Sequence, residues 1–199
     1  MPAKNRIKQY RENSFYHLYN HGVDKKVIFQ DQQDYSTFLS YLKTYLKPKE
    51  EEAKYRLNNF HGQITLLAYC LMPDHFHFLI RQKDANSMDR FMNSLGTRYT
   101  MYFNKKYKRL GPLYQGVYKA VLLTTEEEVL RLSRSIHGQA QAAPSLTGKG
   151  QPSSYQAYLG IQQQEWLNTE EILAFFSHHY PNLSYRQFMN QPEDEETED

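Results

Sequence analysis

Tyr69-Cys70-Leu71-Met72-Pro73-Asp74-His75-Phe76-His77-Phe78-Leu79-Ile80 is the stretch that decides the fold. Two apolar runs, Gln63–Cys70 and His75–Arg81, flank a turn at Met72-Pro73-Asp74. Proline fixes its own φ and has no N–H for a strand ladder, so it belongs in the turn and not in either run. The stretch reads as an antiparallel hairpin. Side chains alternate along a strand, which puts His75, His77 and Leu79 on one face and Phe76, Phe78 and Ile80 on the other. Two imidazoles on one face can share a metal ion. Alone, the pair is a weak signal. With eight histidines in 199 residues, chance supplies about 0.3 such pairs, and two histidines on a solvent-facing or half-buried strand read equally well.

Working outward, residues 14–20 are rich in aromatics and read as a strand closed by His21-Gly22. Asp31 opens a helix with Phe38, Leu39, Leu42, Tyr45 and Leu46 at helical spacing, and Pro48 stops it. Residues 49–62 are a polar connector. Downstream of the hairpin, Ser87 to about Lys106 is helical, with Phe91, Leu95, Tyr99 and Tyr102 near helical spacing. Lys108-Arg109-Leu110-Gly111-Pro112 is a basic turn, and Tyr114–Leu123 reads as a further strand. Thr125-Glu126-Glu127-Glu128 is a capping box ahead of Val129, Leu132 and Ile136. Residues 138–154 read as a loop, and the remainder to about Asn190 as helical, with an N-terminal signal at Trp166–Glu171. Strand, helix, hairpin, helix, strand, helix implies an α+β fold: a mostly antiparallel sheet with helices packed on it.

Composition narrows the partners. The last seven residues, Glu193–Asp199, carry six acids, which leaves 24 basic against 16 acidic residues over 1–192. The body is basic and the acidity sits in an expected disordered tail, a pattern that favours a polyanionic partner. The single cysteine, Cys70, excludes a disulfide framework or a cysteine-based zinc site, and its apolar surroundings read as burial. No apolar run is long enough to span a bilayer, and the basic N-terminus lacks the apolar stretch of a signal peptide, so a cytoplasmic protein is expected. From Arg98 to Lys119 there are six cations (Arg98, Lys105, Lys106, Lys108, Arg109, Lys119), no acid, and six interleaved aromatics. Cations neutralise phosphates, and aromatics stack on unpaired bases. Core packing is the competing reading, favoured for Tyr99 and Tyr102.

The run Tyr69–Ile80 closely resembles the motif of the single-tyrosine HUH transposases of the insertion-sequence-200-like class, and more closely still that of their REP-associated relatives, the RAYT proteins. Collinear pieces carry the same resemblance: Phe15–Gly22, Tyr102–Gly116, Leu132–His137 and Ser153–Gly160. The resemblance implies an HUH endonuclease, ferredoxin-like fold over residues 1–137. Residues 138–190 are then a loop and C-terminal helical extension of the same domain, and 191–199 the acidic tail. It implies a partner, single-stranded DNA carrying a hairpin, held by Arg98, Lys105, Lys106, Lys108, Arg109, Tyr114, Gln115 and Lys119. It also implies a divalent metal, Mg²⁺ or Mn²⁺, on His75, His77 and Gln139, although imidazole ligands taken alone lean toward Mn²⁺ or Zn²⁺. The C-terminal extension resembles the monomeric RAYT relatives more than the dimeric insertion-sequence enzymes, leaving a monomer or a homodimer.

The family's nucleophile is a tyrosine on a helix, followed by Ile-His and then a metal-binding residue one turn on. Here that place holds Ser135, in Ser135-Ile136-His137-Gly138-Gln139. A tyrosine presents its hydroxyl roughly 4 Å further from the backbone than serine does, and a misplacement of about 1 Å costs about 100-fold. A phenol also ionises more readily than an alkyl hydroxyl and is the better leaving group. Gly138 is a further departure, because glycine often marks a helix end. A tyrosine swung in from elsewhere, such as Tyr114, Tyr118 or Tyr155, is the alternative nucleophile. His137 points to a different face from Ser135 and reads as a surface or packing residue; His17 and His21 read the same way. Two functions follow: a strand-transferring transposase, or a hairpin-DNA-binding protein derived from one that no longer cleaves. Ser135 favours the second. A structural metal-binding protein with no nucleic-acid partner is opposed by the basic segment.

Overall fold

The computed structural model describes residues 10–48, 58–143 and 150–191. Most of the connector, part of the 138–154 loop and nearly all of the acidic tail lie outside these. The elements are β1 (Ser14–His21), α1 (Gln32–Leu46), β2 (Ile64–Met72), β3 (His75–Gln82), α2 (Ser87–Lys106), β4 (Lys119–Leu123), α3 (Glu126–Ala142), α4 (Tyr155–Tyr158), α5 (Glu170–Leu173) and α6 (Pro181–Asn190). The four strands form one antiparallel sheet in the order β2-β3-β1-β4, which is the α+β architecture expected. Among the described residues no helix is long and apolar enough to cross a membrane.

Alternation builds two cores, one on each face. Tyr16, Leu18, Phe76, Phe78 and Ile80 face α1 and α2, where Phe38, Leu42, Phe91, Leu95 and Tyr99 meet them. Leu67, Ala68, Cys70 and Leu79 face Val129, Ile136 and Ala140 of α3, together with Tyr158, Ile172 and Tyr185. A register shift between Leu66 and Ala68 moves the alternation of β2 by one residue, so that Ile64 and Leu66 share the first core with Tyr69 and Leu71. Cys70 is buried and free, as expected.

The β2–β3 turn is pinned from below. Pro73 O accepts from Ile28 N (2.7 Å) and Phe29 N (3.0 Å), and Asp74 O accepts from Gly22 N (2.8 Å). The residue after His21 must be glycine: a Cβ on Gly22 would sit 2.0 Å from Lys26 O. These contacts fix the start of β3 against the end of β1.

Helix caps follow the sequence signals. Asp31 caps α1, accepting from Asp34 N, and Thr125 with Glu128 forms the capping box of α3. Three expectations need correction. The last strand begins at Lys119 and not at Tyr114. Tyr114 makes only a single bridge to Gly22, and Gly116, at φ 77°, turns the chain out of extended geometry before the strand can start. α3 does not stop at Gly138 but runs to Ala142, so the boundary drawn at 137/138 falls inside a helix. The C-terminal region is less helical than expected, because α4 and α5 are single turns and only α6 is longer.

A buried relay ties these parts together. Tyr69 N–H donates to Ser154 Oγ (2.9 Å), which lies 2.7 Å from His137 Nε2. His137 Nδ1 lies 2.7 Å from Tyr185 Oη, Tyr185 donates to Ser133 Oγ (3.2 Å), and Ser133 donates to Leu130 O (2.8 Å). With Tyr185 donating onward, His137 donates from Nδ1 and accepts at Nε2, so one proton direction satisfies every member. β2, α3, α4 and α6 are thereby joined through polar groups inside an apolar layer. Burial pushes the His137 imidazole down to about 3, so it is neutral at physiological pH.

Candidate functional site

Beyond the cover of α3, one end of the sheet is paved with imidazole. Cross-strand pairing sets His21 opposite His75 and Tyr19 opposite His77, and alternation brings His17, Tyr19 and His21 to the face that carries His75 and His77. The ring centroids of His17 and His77 are 5.0 Å apart, those of His21 and His75 5.0 Å, and those of His75 and His77 5.1 Å. Tyr19 stacks on His77 at 5.7 Å and lies 4.9 Å from His17. Burial, the main cause throughout, pushes His17 down to about 4 and His77 to about 3, and also lowers His21. Neutral imidazoles have a lone pair to offer a metal.

Both residues of the His-x-His pair have one nitrogen already engaged. His75 Nδ1 lies 2.6 Å from Asp74 Oδ1, and His77 Nδ1 lies 2.8 Å from His17 Nε2. His21, Asp74 and His75 can also bring one donor atom each to within 4.8 Å of one another. The face is therefore chemically suited to a divalent cation, through two overlapping donor sets.

α3 supplies the other candidates. Its C-terminal end is held at the histidine end of the sheet: Gln151 N donates to Ala140 O (2.8 Å), Leu71 N donates to Pro152 O (2.9 Å), and Cys70, the neighbour of Leu71, is the register partner of His77. Because the helix continues past Gly138, Ser135 and Gln139 stack one turn apart, with Gln139 Nε2 donating to Ser135 Oγ at 3.4 Å. Ser135 is half-buried and Gln139 exposed. His137 points the other way, into the relay. Of the alternative tyrosines, Tyr114 packs edge-on against Phe76 and Tyr118 donates to Asp89; both belong to the core on the opposite face. Tyr155 packs against His137.

The basic residues fall into three groups. Lys105 and Lys108 are exposed around the end of α2, with Arg109 over the Phe103 ring at 5.5 Å. Lys119 and Gln115 border the histidine face: Lys119 Nζ is 5.7 Å from the Tyr19 ring centroid, and Gln115 N donates to His21 O (2.9 Å). Arg98 and Lys106 are turned inward. Arg98 lies 4.0 Å from the Tyr41 ring centroid. Lys106 pairs with Asp31 (2.7 Å) and with Asp34 (2.8 Å), a fully buried carboxylate. Burial alone would depress the Lys106 ammonium, but its hydrogen bonds to Asp31 and Asp34 outweigh this and raise it.

Residues 13–139 match the family model described as "Transposase IS200 like". The chain belongs to the IS200-like transposase family. Among solved structures, this transposase is similar to a REP-associated tyrosine transposase bound to a REP hairpin. The identity is 10%, covering 83% of this chain and 92% of that one, with a TM-score of 0.55. It is also similar to a putative transposase from Deinococcus radiodurans R1, at 15% identity over 68% of this chain and 97% of that one, with a TM-score of 0.41. No curated protein matches. The first likeness establishes a shared fold.

What the sequence reading of this transposase missed is the contribution of β1. His17, Tyr19 and His21 stand at i, i+2 and i+4 of one strand, a same-face spacing visible in the sequence. Asp74, read only as a turn residue, is bonded to His75.

Proposed function

We propose that this IS200-like transposase binds single-stranded DNA carrying a hairpin and holds a divalent cation, Mg²⁺ or Mn²⁺, with His75, His77 and Gln139. Ser135, in the place of the family's nucleophile, disables covalent cleavage. The observation that carries this reading is the pairing of an imidazole-lined sheet end with a helix whose Ser135–Gln139 turn is anchored toward that same end. Gln139 spends its amide N–H on Ser135 and keeps its carbonyl oxygen, the atom a cation would use. A bound cation supplies Lewis-acid polarisation of the scissile phosphate. Lys119 and Gln115 border the track of the strand across the histidine face, and the exposed Lys105 and Lys108, with half-buried Arg109 beside them, suit the duplex part of a hairpin, where backbone charge dominates. The similar REP-associated transposase, solved with a REP hairpin, supports the same substrate class.

A second reading keeps cleavage and moves the nucleophile. Its support is Tyr19, whose ring packs on His17, His21 and His77. One gel separates the two. The protein is incubated with a labelled hairpin oligonucleotide bearing a single-stranded flank, with Mn²⁺. The expected result is a shifted complex with no covalent band, and a covalent band for Ser135→Tyr. A covalent band from the unaltered chain, lost in Tyr19→Phe, would replace the first reading with the second. No complex at low salt would overturn both.

A further inference from the structure

The two histidines of the His-x-His pair are held alike. In each, Nδ1 faces a partner within the fold: Asp74 Oδ1 at 2.6 Å for His75 and His17 Nε2 at 2.8 Å for His77. An ionised carboxylate can only accept, so His75 carries its proton on Nδ1 and its lone pair on Nε2. A neutral imidazole has one N–H. When His77 donates from Nδ1 to His17, its Nε2 is likewise a lone pair. The opposite arrangement, with His17 donating, would put the proton on His77 Nε2 and block it as a ligand. A metal-bound histidine is usually oriented in this way, through a hydrogen bond from its other nitrogen.

We infer that Asp74 and His17 are positioning residues for the metal centre: they hold Nδ1 of His75 and His77, fix the tautomer of each ring, and present the two Nε2 atoms together. The inference rests on the metal reading above and adds to it two residues that touch neither cation nor DNA. It also decides between the two donor sets. Asp74 acts through His75 and is not itself a ligand, and His21 is not required. The pinned turn adds rigidity, because the Gly22 N–H to Asp74 O bond fixes the backbone that carries the carboxylate.

Mn²⁺ titrations of the full chain, followed by loss of the free-ion resonance signal, test this without any cleavage readout. Hairpin binding in EDTA is run alongside to show that each variant is folded. Asp74→Ala and His17→Phe should each weaken Mn²⁺ about 10- to 100-fold. Asp74→Asn and His17→Gln, whose amide oxygens can still accept from Nδ1–H, should recover most of that loss. His77→Ala should abolish tight binding, and His21→Ala should leave it within about 3-fold, since a residue outside the ligand set has little effect. Native-like affinity in both Asp74→Ala and His17→Phe would overturn the inference while leaving the metal reading standing. Loss in His21→Ala with retention in His77→Ala would overturn it by moving the ion to His21, Asp74 and His75. No Mn²⁺ binding by the unaltered chain would remove the metal reading and this inference with it.

Discussion

Lowering the pH from 7 to 5 should cost this protein stability, and one separable share of that cost comes from an interior group, His137. In the folded chain its imidazole is fully buried and lowered to about 3, against about 6.5 in an unfolded chain. The unfolded state therefore binds the proton first. Stability from this group is complete above about pH 6.5 and is lost progressively as the pH falls toward 3. Between pH 7 and 5 the linkage amounts to about 2 kcal/mol, as expected for a proton that the unfolded state gains and the folded state refuses. Burial explains the refusal, and the relay offers a second proton little relief. A proton on Nε2 would face Ser154 Oγ, whose other acceptor, Tyr69 O, is 3.4 Å away. Urea unfolding at the two pH values, for the native chain and for His137→Gln, isolates the effect, because the other histidines titrate in both proteins. With a urea dependence of about 2 kcal/mol/M, the native midpoint should fall about 1 M further than the variant's. Equal falls in the two proteins would refute the argument and mean that His137 is protonated in place.

Other substitutions separate structural from DNA-facing roles. Lys106→Met removes the ammonium beside buried Asp34 and should cost about 3 kcal/mol in chemical denaturation, while the folded variant binds hairpin DNA as before. Lys105→Ala with Lys108→Ala should leave stability within about 0.5 kcal/mol. It should also flatten the dependence of log affinity on log salt by about 0.7 to 0.9 for each phosphate that is no longer neutralised, as measured by fluorescence anisotropy. Gly22→Ala forces a methyl group onto Lys26 O and should lower the melting midpoint by several degrees, equivalent to about 1–3 kcal/mol of strain. A melting curve unchanged from the native one would show that the turn below the histidines relaxes freely.

Features written in local chemistry were legible in the sequence. Proline and aspartate at 73–74 announce a turn, alternation on either side announces strands, and Thr125 with Glu128 announces a helix start. Each of these needs only neighbours within a few residues. What stayed hidden depends on partners far along the chain. Lys106 reads as a free cation because its acids, Asp31 and Asp34, are more than 70 residues away. Arg98 reads the same way until α1 brings Tyr41 beneath it. His137 gives no sign of belonging to a relay that also draws on β2, on Ser154 just ahead of α4, and on α6. The histidine face was half legible: β3 declared its pair, whereas the three rings from β1 join only through a register that the sequence does not state. Gly138 misled because glycine's preference for helix ends is weaker than the packing of Ile136 and Ala140 on either side of it.

The two edges of the sheet are not alike. Along β2 the main chain is sealed: Ser154 N donates to Tyr69 O, Leu71 N donates to Pro152 O, and Asn168 N donates to Leu66 O. Along β4, among the described residues, no segment pairs with the outer side. An exposed strand edge is a template for another strand, so this asymmetry sets how far self-association can go. Two copies meeting β4 to β4 about a two-fold axis would close into a single eight-stranded sheet with both outer edges capped, and growth would end there. A sheet bare on both sides could recruit copies without limit. In such a pair the cover over β2 would act as a chain terminator at each end.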